Sequence, residues 1–216
     1  MTIANNYKVF AGAGPPQARG PRPGPTLPPP PKSAPAAAAK GYRMVGLIRR
    51  NFSYLDIEMC RTLYCSLVRP HVEYAIQSWS PYLRKDIEEL EKVQRRMTRL
   101  VPELKTLNYE ERRKRLGIYS LEKRRLRGDL IETYKIVHGL ENVDREIFFR
   151  MRDGITRTNT LKLEKRGHWR TNLRANAFSI RVVNHWNELP EEIVCAPSVS
   201  AFKERLDRYW ATEEEE

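Results

Sequence analysis

The sequence predicts an all-α protein, an irregular bundle of about six to eight helices that follows a disordered arm rich in proline and alanine. Two observations carry this prediction. After residue 43, apolar side chains recur every three or four positions, the spacing that places them on one face of a helix. Before it, ten of the 15 prolines lie between Pro15 and Pro35, in a stretch with too little apolar surface to offset the entropy lost on folding.

Changes in composition divide the chain into five regions. They are the Pro/Ala-rich arm 1–40, a helical region 41–140, a basic loop-rich linker 141–170, a second helical region 171–210 and an acidic tail 211–216. The arm holds four consecutive prolines and five basic residues but no acidic one, which is typical of a polyproline-II tether. An SH3 or WW ligand, a plain linker and an unrelated leader are the alternatives for its role.

Two helices are predicted before residue 70. Their apolar stripes are Met44, Leu47 and Ile48 in the first and Leu55, Met59, Leu63 and Leu67 in the second. Ser53 is the predicted N-cap of the second helix, and Pro70 is predicted to end it. The closely spaced apolar residues of 72–79 then predict a short buried helix.

Three further helices are predicted in the middle of the chain. The stripe of the helix 85–101 consists of Ile87, Leu90, Val93, Met97 and Leu100. Acidic residues crowd its start and arginines its end, which complements the helix dipole, and a proline follows it. A short helix spans 109–116 and stops at Gly117. A longer one begins at the N-cap Ser120 and closes at Gly139.

The last third of the chain is less regular. The helical pattern loosens over residues 143–169, where Phe148 and Phe149 form an apolar pair and the stretch behind them, rich in Thr, Arg and Lys, is predicted to be loop or short strand. A helix over 175–187 follows, and a Leu-Pro pair breaks it. The final helix has Ser198 as its N-cap and an apolar stripe made of Val199, Phe202, Leu206 and Tyr209.

The charge of the chain favours polyanionic partners. Basic residues outnumber acidic ones by 39 to 27, a net charge of +12, although four of the acids stand together in the tail. Among RNA, DNA and anionic membrane, nucleic acid is the commonest partner of such a chain. Three cysteines form neither a CxxC pair nor an even set, which fits a reducing compartment. With no run near ~18 apolar residues and no secretory signal, we expect a nuclear or cytoplasmic protein without a membrane partner.

Residues for catalysis are not recognisable in the sequence. No set of carboxylates suits a pair of divalent ions, and the four histidines lie far apart without a GxSxG-type elbow. Phosphate-cradling motifs such as GxxxxGKS/T and GxGxxG do not occur. We therefore expect no catalytic residue, no metal site and no cofactor, and we do not expect the chain to be an enzyme.

Basic density stands out instead. The candidate nucleic-acid-binding residues are Arg95, Arg96, Arg99, Arg112, Arg113, Lys114, Arg115, Lys123, Arg124, Arg125, Arg127, Arg166, Trp169 and Arg170. They fall at predicted helix ends and short turns, where a guanidinium fork binds two phosphate oxygens at once and releases counterions. An exposed Trp169 would stack on an unpaired base. The alternative is that each basic run is simply a solvated helix face.

Seven short segments, in order along residues 41–209, carry recognisable motifs. They are 47–52 (LIRRNF), 63–74 (LYCSLVRPHVEY), 78–81 (SWSP), 90–96 (LEKVQRR), 115–117 (RLG), 121–125 (LEKRR) and 186–190 (WNELP). Together they resemble the thumb and post-thumb region at the end of LINE-type (non-LTR, jockey-like) retrotransposon reverse transcriptases.

The resemblance implies binding and not catalysis. In the family this region follows the polymerase palm and grips template RNA and primed target DNA, whereas this chain has neither the Tyr-x-Asp-Asp motif nor an endonuclease domain. By the same likeness, residues 90–99, with Gln94 among them, lie close to the primer–template, and residues 72–79 pack in the thumb core. The arm 1–40 has no counterpart in the family, so an element product, a host gene with captured element sequence and a pseudogene fragment all remain as origins.

The favoured function is that of a nucleic-acid-binding fragment of an RNA-directed DNA polymerase. One alternative is a helical protein-interaction or structural module with a proline-rich arm, whose arginines pair internally with glutamates. A non-functional element remnant is another, and polymerase activity would need a palm from a second polypeptide. If the region normally packs against a palm, we expect an exposed apolar patch that includes Tyr74, Trp79 and Val93.

Overall fold

The computed structural model describes residues 33–152, 159–165 and 171–213. The arm predicted for residues 1–32 lies outside these residues. Within the described residues the chain forms helices and no strand, and its only β-type pairing there is an isolated antiparallel bridge between Met151 and Leu163. The predicted all-α class is confirmed.

The described helices are α1 Ala34–Asn51, α2 Ile57–Leu63, α3 Arg69–Glu73, α4 Ile76–Trp79, α5 Arg84–Thr98, α6 Tyr109–Leu116, α7 Leu121–Val137, α8 Arg145–Phe148, α9 Asn172–Ala175, α10 Phe178–Glu188, α11 Glu191–Val194 and α12 Val199–Glu213. A π-helical turn, Tyr64–Val68, joins α2 to α3, and a 3-10 turn, Pro102–Leu104, precedes α6. Seven of these helices have at least seven residues, namely α1, α2, α5, α6, α7, α10 and α12, which agrees with the predicted six to eight.

The first helix begins earlier than the sequence predicted. The arm was expected to continue to Lys40, but α1 starts at Ala34 and carries a proline in its first turn, where the missing N–H costs nothing. Ala34, Ala37 and Ala38 are buried in the core. The alanine run is therefore structural: alanine has the highest helix propensity, and its small side chain allows neighbouring helices to approach closely.

Close packing of α1 against α5 and α3 requires glycine at position 41. A Cβ atom there would lie 2.8 Å from Val93 Cγ1 and 3.0 Å from Val72 Cγ1, closer than carbon atoms pack in proteins. By contrast, a Cβ atom at Gly46, also on α1, would meet only the Arg50 guanidinium at 3.8 Å.

Gly41→Val should lower the free energy of unfolding by about 1–3 kcal/mol, because the added methyl groups overpack the contact with Val93. Gly46→Val is the matched control and should leave stability unchanged or slightly raised, since glycine is the poorer helix former. Urea denaturation of the full-length variants measures both. Equal stability of the two variants would contradict the close approach.

The buried stripe of α2 and the π turn differs from the predicted one. Of the predicted stripe, Leu55 is buried and Leu63 is half-buried, whereas Met59 and Leu67 are exposed. After Leu55 the buried positions are shifted by one, onto Cys60, Tyr64 and Val68, because the packing of neighbouring helices buries these residues although Cys60 and Tyr64 are less apolar than the leucines.

The ends of this segment also differ from the prediction. Asp56 and not Ser53 caps α2, since the Asp56 side chain accepts a hydrogen bond from Met59 N at 2.7 Å. Pro70 does not end the helical run, which continues as α3 to Glu73. The π turn just before the proline widens the backbone spiral where Pro70 has no N–H to donate, so the chain stays helical.

Local end signals around α6 and α7 are confirmed. Gly117 adopts a left-handed conformation (φ 59°) directly after α6, and the Ser120 side chain caps α7 by accepting a hydrogen bond from Lys123 N. Asn108 and Glu111 add a capping box at the start of α6 that the sequence analysis did not identify.

Two hydrophobic cores are arranged along the chain and share α7. The first is built from α1 to α6 and ends at Leu121. The second begins at Leu130 on α7, before the region boundary predicted at residue 140, and is completed by α10 to α12. In its centre the Phe202 ring stacks between Tyr134 and Trp186, with ring centroids 4.5 Å and 6.1 Å away.

Exposed apolar side chains lie elsewhere than expected. Val93 is fully buried, and Tyr74 and Trp79 are half-buried, with Trp79 Nε1 donating to Tyr74 O at 2.7 Å. The exposed large apolar residues near the first core are Leu47, Phe52, Tyr54, Met59, Leu67, Tyr82 and Leu83.

No candidate for a membrane-spanning helix, by length and hydropathy, is found among the described residues.

Candidate nucleic-acid interface

Three exposed arginines lie at the C-terminal end of α5. Leu90, Val93 and Met97 face inward and are fully buried. Arg95 and Arg96 on the helix, and Arg99 directly after its last residue, are exposed; we call them the three α5 arginines.

The three α5 arginines have no acidic partner. Their guanidinium groups form no hydrogen bond and no ion pair with the described residues. Arg95 Cζ lies 4.9 Å from the centroid of the Tyr109 ring, and Arg96 Cζ lies 5.8 Å from that of Tyr42. A cation over an aromatic face keeps its N–H donors available at the edge of the guanidinium plane, so these side chains are oriented and still free to bind an anion.

The adjacent helix α6 adds basic residues at its own C-terminal end. Lys114 and Arg115 are exposed, and the half-buried Arg113 pairs with Glu110 one turn earlier. Arg113 Cζ also lies 5.6 Å from the centroid of the Tyr109 ring, so that ring joins basic side chains of both helices. We name Arg95, Arg96, Arg99, Lys114 and Arg115 the α5–α6 surface. Arg113 is not part of it, because its guanidinium is already paired with Glu110.

A buried polar network fixes the helices beneath this surface. Tyr109 donates its hydroxyl hydrogen bond to Glu91 Oε1, while Glu91 Oε2 accepts from Leu121 N at 3.0 Å, at the start of α7. Gln94 Nε2 donates to the Tyr109 hydroxyl and to Tyr119 O, both at 2.9 Å. Burial, followed by the nearby Glu91 carboxylate, raises the pKa of Tyr109, which therefore stays protonated as the donor.

Gln94 and Glu91 are thus structural, although neither role was predicted. Gln94 is fully buried, whereas the resemblance to reverse transcriptases placed it with Arg95 and Arg96 close to the primer–template. Only the two arginines remain accessible. No sequence signal identified the network, because its partners lie on three separate helices.

A second group of the predicted basic residues is engaged inside the protein. Arg124 Nε and Nη2 donate to the two carboxylate oxygens of Glu73, each at 3.0 Å, and Arg127 donates to Asp207 at 2.8 Å and 2.7 Å. These bidentate pairs connect α7 to α3 and to α12. Both guanidinium groups are therefore neutralised by carboxylates of the protein itself, and neither belongs to the interface.

Two further residues predicted to bind nucleic acid are held within the protein: Arg112 is buried, and Lys123 packs on aromatic rings. Arg112 is buried; its Nε donates to Thr98 Oγ1 at 3.0 Å and its Nη1 to Leu107 O at 2.6 Å. The Lys123 ammonium group lies 5.0 Å from the ring centroids of Tyr119 and Trp210. Both side chains thus hold α6 and α7 to their neighbours.

Arg125, like Arg112, is buried. It is 5% exposed, and its two Nη atoms find no hydrogen-bond acceptor among the described residues. Burial lowers the pKa of its guanidinium, and three carboxylates, of Glu122, Glu91 and Asp129, partly offset that effect. A cation this deep in the protein is not available to a phosphate outside it.

Asp129, one turn after Arg125, is the buried acid of this region. Both of its oxygens accept from Arg181 of α10, at 2.8 Å and 2.9 Å. The pair links α7 to α10 at the junction of the two cores.

The remaining predicted site residues, Arg166, Trp169 and Arg170, lie outside the described residues. No three His, Cys, Asp or Glu side chains of the described residues come together in a way that would hold a metal ion. Comparison with protein-family models, with curated proteins and with solved structures finds no match in any of the three. The chemistry that the α5–α6 surface offers is anion binding by accessible guanidinium and ammonium groups.

Proposed function

We propose that the chain binds the sugar–phosphate backbone of RNA, DNA or an RNA–DNA hybrid through the α5–α6 surface, as a fragment derived from a LINE-type reverse transcriptase that lacks the palm and the endonuclease. The observation that carries the proposal is the absence of any acidic partner for the exposed Arg95, Arg96 and Arg99 among the described residues. The net charge of +12 supports it.

The geometry favours contacts to phosphates over contacts to bases. Arginines at a helix end form a short row on a rigid support, and each guanidinium fork matches two oxygens of a phosphate group. Such contacts position a nucleic acid without reading its sequence. The protein would act in binding only, with no catalytic role, in the nucleus or the cytoplasm.

The test is binding of the full-length protein to a labelled RNA–DNA hybrid, with single-stranded RNA and duplex DNA of other sequences as competitors. With about three to five phosphate contacts, we expect affinity to fall on the order of 50-fold to 500-fold between 50 mM and 200 mM salt. Competitors of unrelated sequence should displace the probe equally well. No binding to any of the three at low salt would contradict the proposal.

A protein-interaction or structural module remains the second candidate. The observation that favours it is the pairing of Arg124 with Glu73 and of Arg127 with Asp207, since that alternative expects arginines to be neutralised internally. Under it the proline-rich arm would be an SH3 or WW ligand, and salt would have little effect on partner binding.

A further inference from the structure

A second cationic site lies in a cleft of about 170 Å³ beside the α6–α7 turn. Three arginines line it from three different segments: Arg61 on α2, Arg69 at the start of α3 and Arg124 on α7. Tyr64, Gln94 and the backbone at Gly117 are among its other walls. Neither Arg61 nor Arg69 belongs to the residues predicted from the sequence to bind nucleic acid.

Arg61 is the free cation of this cleft. It is exposed, and its guanidinium makes no hydrogen bond or ion pair with the described residues. The group lies over the end of α6, with Cζ 3.7 Å from the position that a Cβ of Gly117 would take. All of its N–H donors therefore remain available to a ligand that enters the cleft.

The acidic groups nearby do not neutralise the cleft. Both carboxylate oxygens of Glu73 accept hydrogen bonds from Arg124. Glu73 Oε2 also lies 3.9 Å from Arg69 Nε, and Arg69 Nη1 donates to Cys65 Sγ at 3.3 Å. The buried Glu91, below the cleft, is held by Tyr109 and by the start of α7. Only Arg124 of the three arginines has a close ion pair with the described residues. The charge of Arg61 and part of the N–H donors of Arg69 are therefore available to a ligand.

The size of the cleft restricts the ligand. A tetrahedral phosphate group fits into a cleft of about 170 Å³. The cationic lining selects for the charge of the ligand.

We propose that this cleft binds a single phosphate group, with Arg61 as the principal ligand and Arg69 as the supporting cation, while Arg124 stays paired with Glu73. The ligand is either the terminal phosphate of a nucleic-acid strand or a free phosphate ion. The site does not depend on the α5–α6 surface, so it holds whether or not that surface binds nucleic acid.

The first experiment is calorimetric titration of the full-length protein with inorganic phosphate, with chloride adjusted to keep ionic strength constant. Arg61→Gln should weaken phosphate binding about tenfold, because a charge-assisted hydrogen-bond donor is lost. Arg49→Gln removes an exposed arginine of α1 and is the matched control, with unchanged binding expected. Far-UV circular dichroism checks that both variants are folded. Absence of phosphate binding, or equal binding by wild type and Arg61→Gln, would overturn the proposal.

The second experiment distinguishes the two sources of the phosphate. Oligonucleotides of one sequence, with either a 5′-phosphate or a 5′-hydroxyl, are compared. If the strand terminus is the ligand, the phosphorylated form binds several-fold tighter, and Arg61→Gln removes the difference. If free phosphate is the ligand, the two oligonucleotides bind alike, and only inorganic phosphate binding depends on Arg61. A preference for the 5′-phosphate that persists in Arg61→Gln would overturn the site.

Failure of this proposal is separable from failure of the proposed function. A variant in which Arg95, Arg96 and Arg99 are replaced by glutamate should still bind inorganic phosphate as the wild type does. Loss of phosphate binding in that variant would contradict a separate cleft.

Discussion

Replacement of Arg95, Arg96 and Arg99 by glutamate should abolish nucleic-acid binding while the helical fold is retained. The side chains are exposed and form no ion pair among the described residues, so the substitutions break no internal pair. Three charge-assisted phosphate contacts would be lost and replaced by repulsion, which we expect to lower affinity at least on the order of a hundredfold. Fluorescence anisotropy with a labelled RNA–DNA hybrid measures the loss.

A control with the same change of charge separates a local interface from a general effect of net charge. Arg145, Arg150 and Arg152 are exposed and lie in the second half of the chain, between α7 and α9. Their replacement by glutamate removes the same six units of charge from the protein. We expect only the modest weakening that a long-range field produces. An equal loss of binding in both triple variants would contradict the assignment of the α5–α6 surface.

Asp129→Asn should lower the free energy of unfolding by about 3–5 kcal/mol, because it removes the carboxylate charge from the half-buried guanidinium of Arg181 and from the buried one of Arg125. Asp129 is 3% exposed and accepts both hydrogen bonds from Arg181. Its charge also offsets part of the burial cost of Arg125, whose Nη atoms have no acceptor among the described residues. Urea denaturation monitored by circular dichroism measures the change.

An exposed acid that forms no ion pair with the described residues provides the control for this prediction. Glu88 on α5 is such an acid, and Glu88→Gln should change stability by no more than about 0.5 kcal/mol. Replacing both Asp129 and Arg181 by leucine should cost less than Asp129→Asn alone, since no charge of the pair is then left unmatched. If Asp129→Asn were as stable as the wild type, the buried pair would not hold α7 to α10.

Helix ends were predictable where a single residue type determines them. Gly117 stops α6 because glycine adopts the left-handed conformation without strain, and Ser120 caps α7 through its hydroxyl group. The prediction was wrong where two patterns compete. At α2 the leucines and the Cys60–Tyr64 stripe share one period, and only the packing of α1 and α5 decides which stripe is buried. The alanines before Lys40 are likewise compatible with a tether or with a helix, and only their burial in the core shows that they are helical.

Which of the basic residues reach solvent could not be derived from the sequence. Arg124 and Arg127 belong to a basic run that resembles those of the accessible cations, yet their acidic partners lie 51 and 80 residues away along the chain. Ion pairs at such separations depend on the tertiary arrangement of α3, α7 and α12. The cleft at Arg61 could not be predicted from the sequence for the same reason, since its three arginines are not adjacent in the chain.

The division of the arginines into an accessible and an internal group is tested most directly by the salt dependence of binding. Two variants remove two positive charges each: Arg95→Gln with Arg99→Gln, and Arg124→Gln with Arg127→Gln. We predict that the slope of log K against log salt concentration on an RNA–DNA hybrid becomes shallower by about two in the first variant only. An unchanged slope in the first variant, or an equal change in both, would contradict the division.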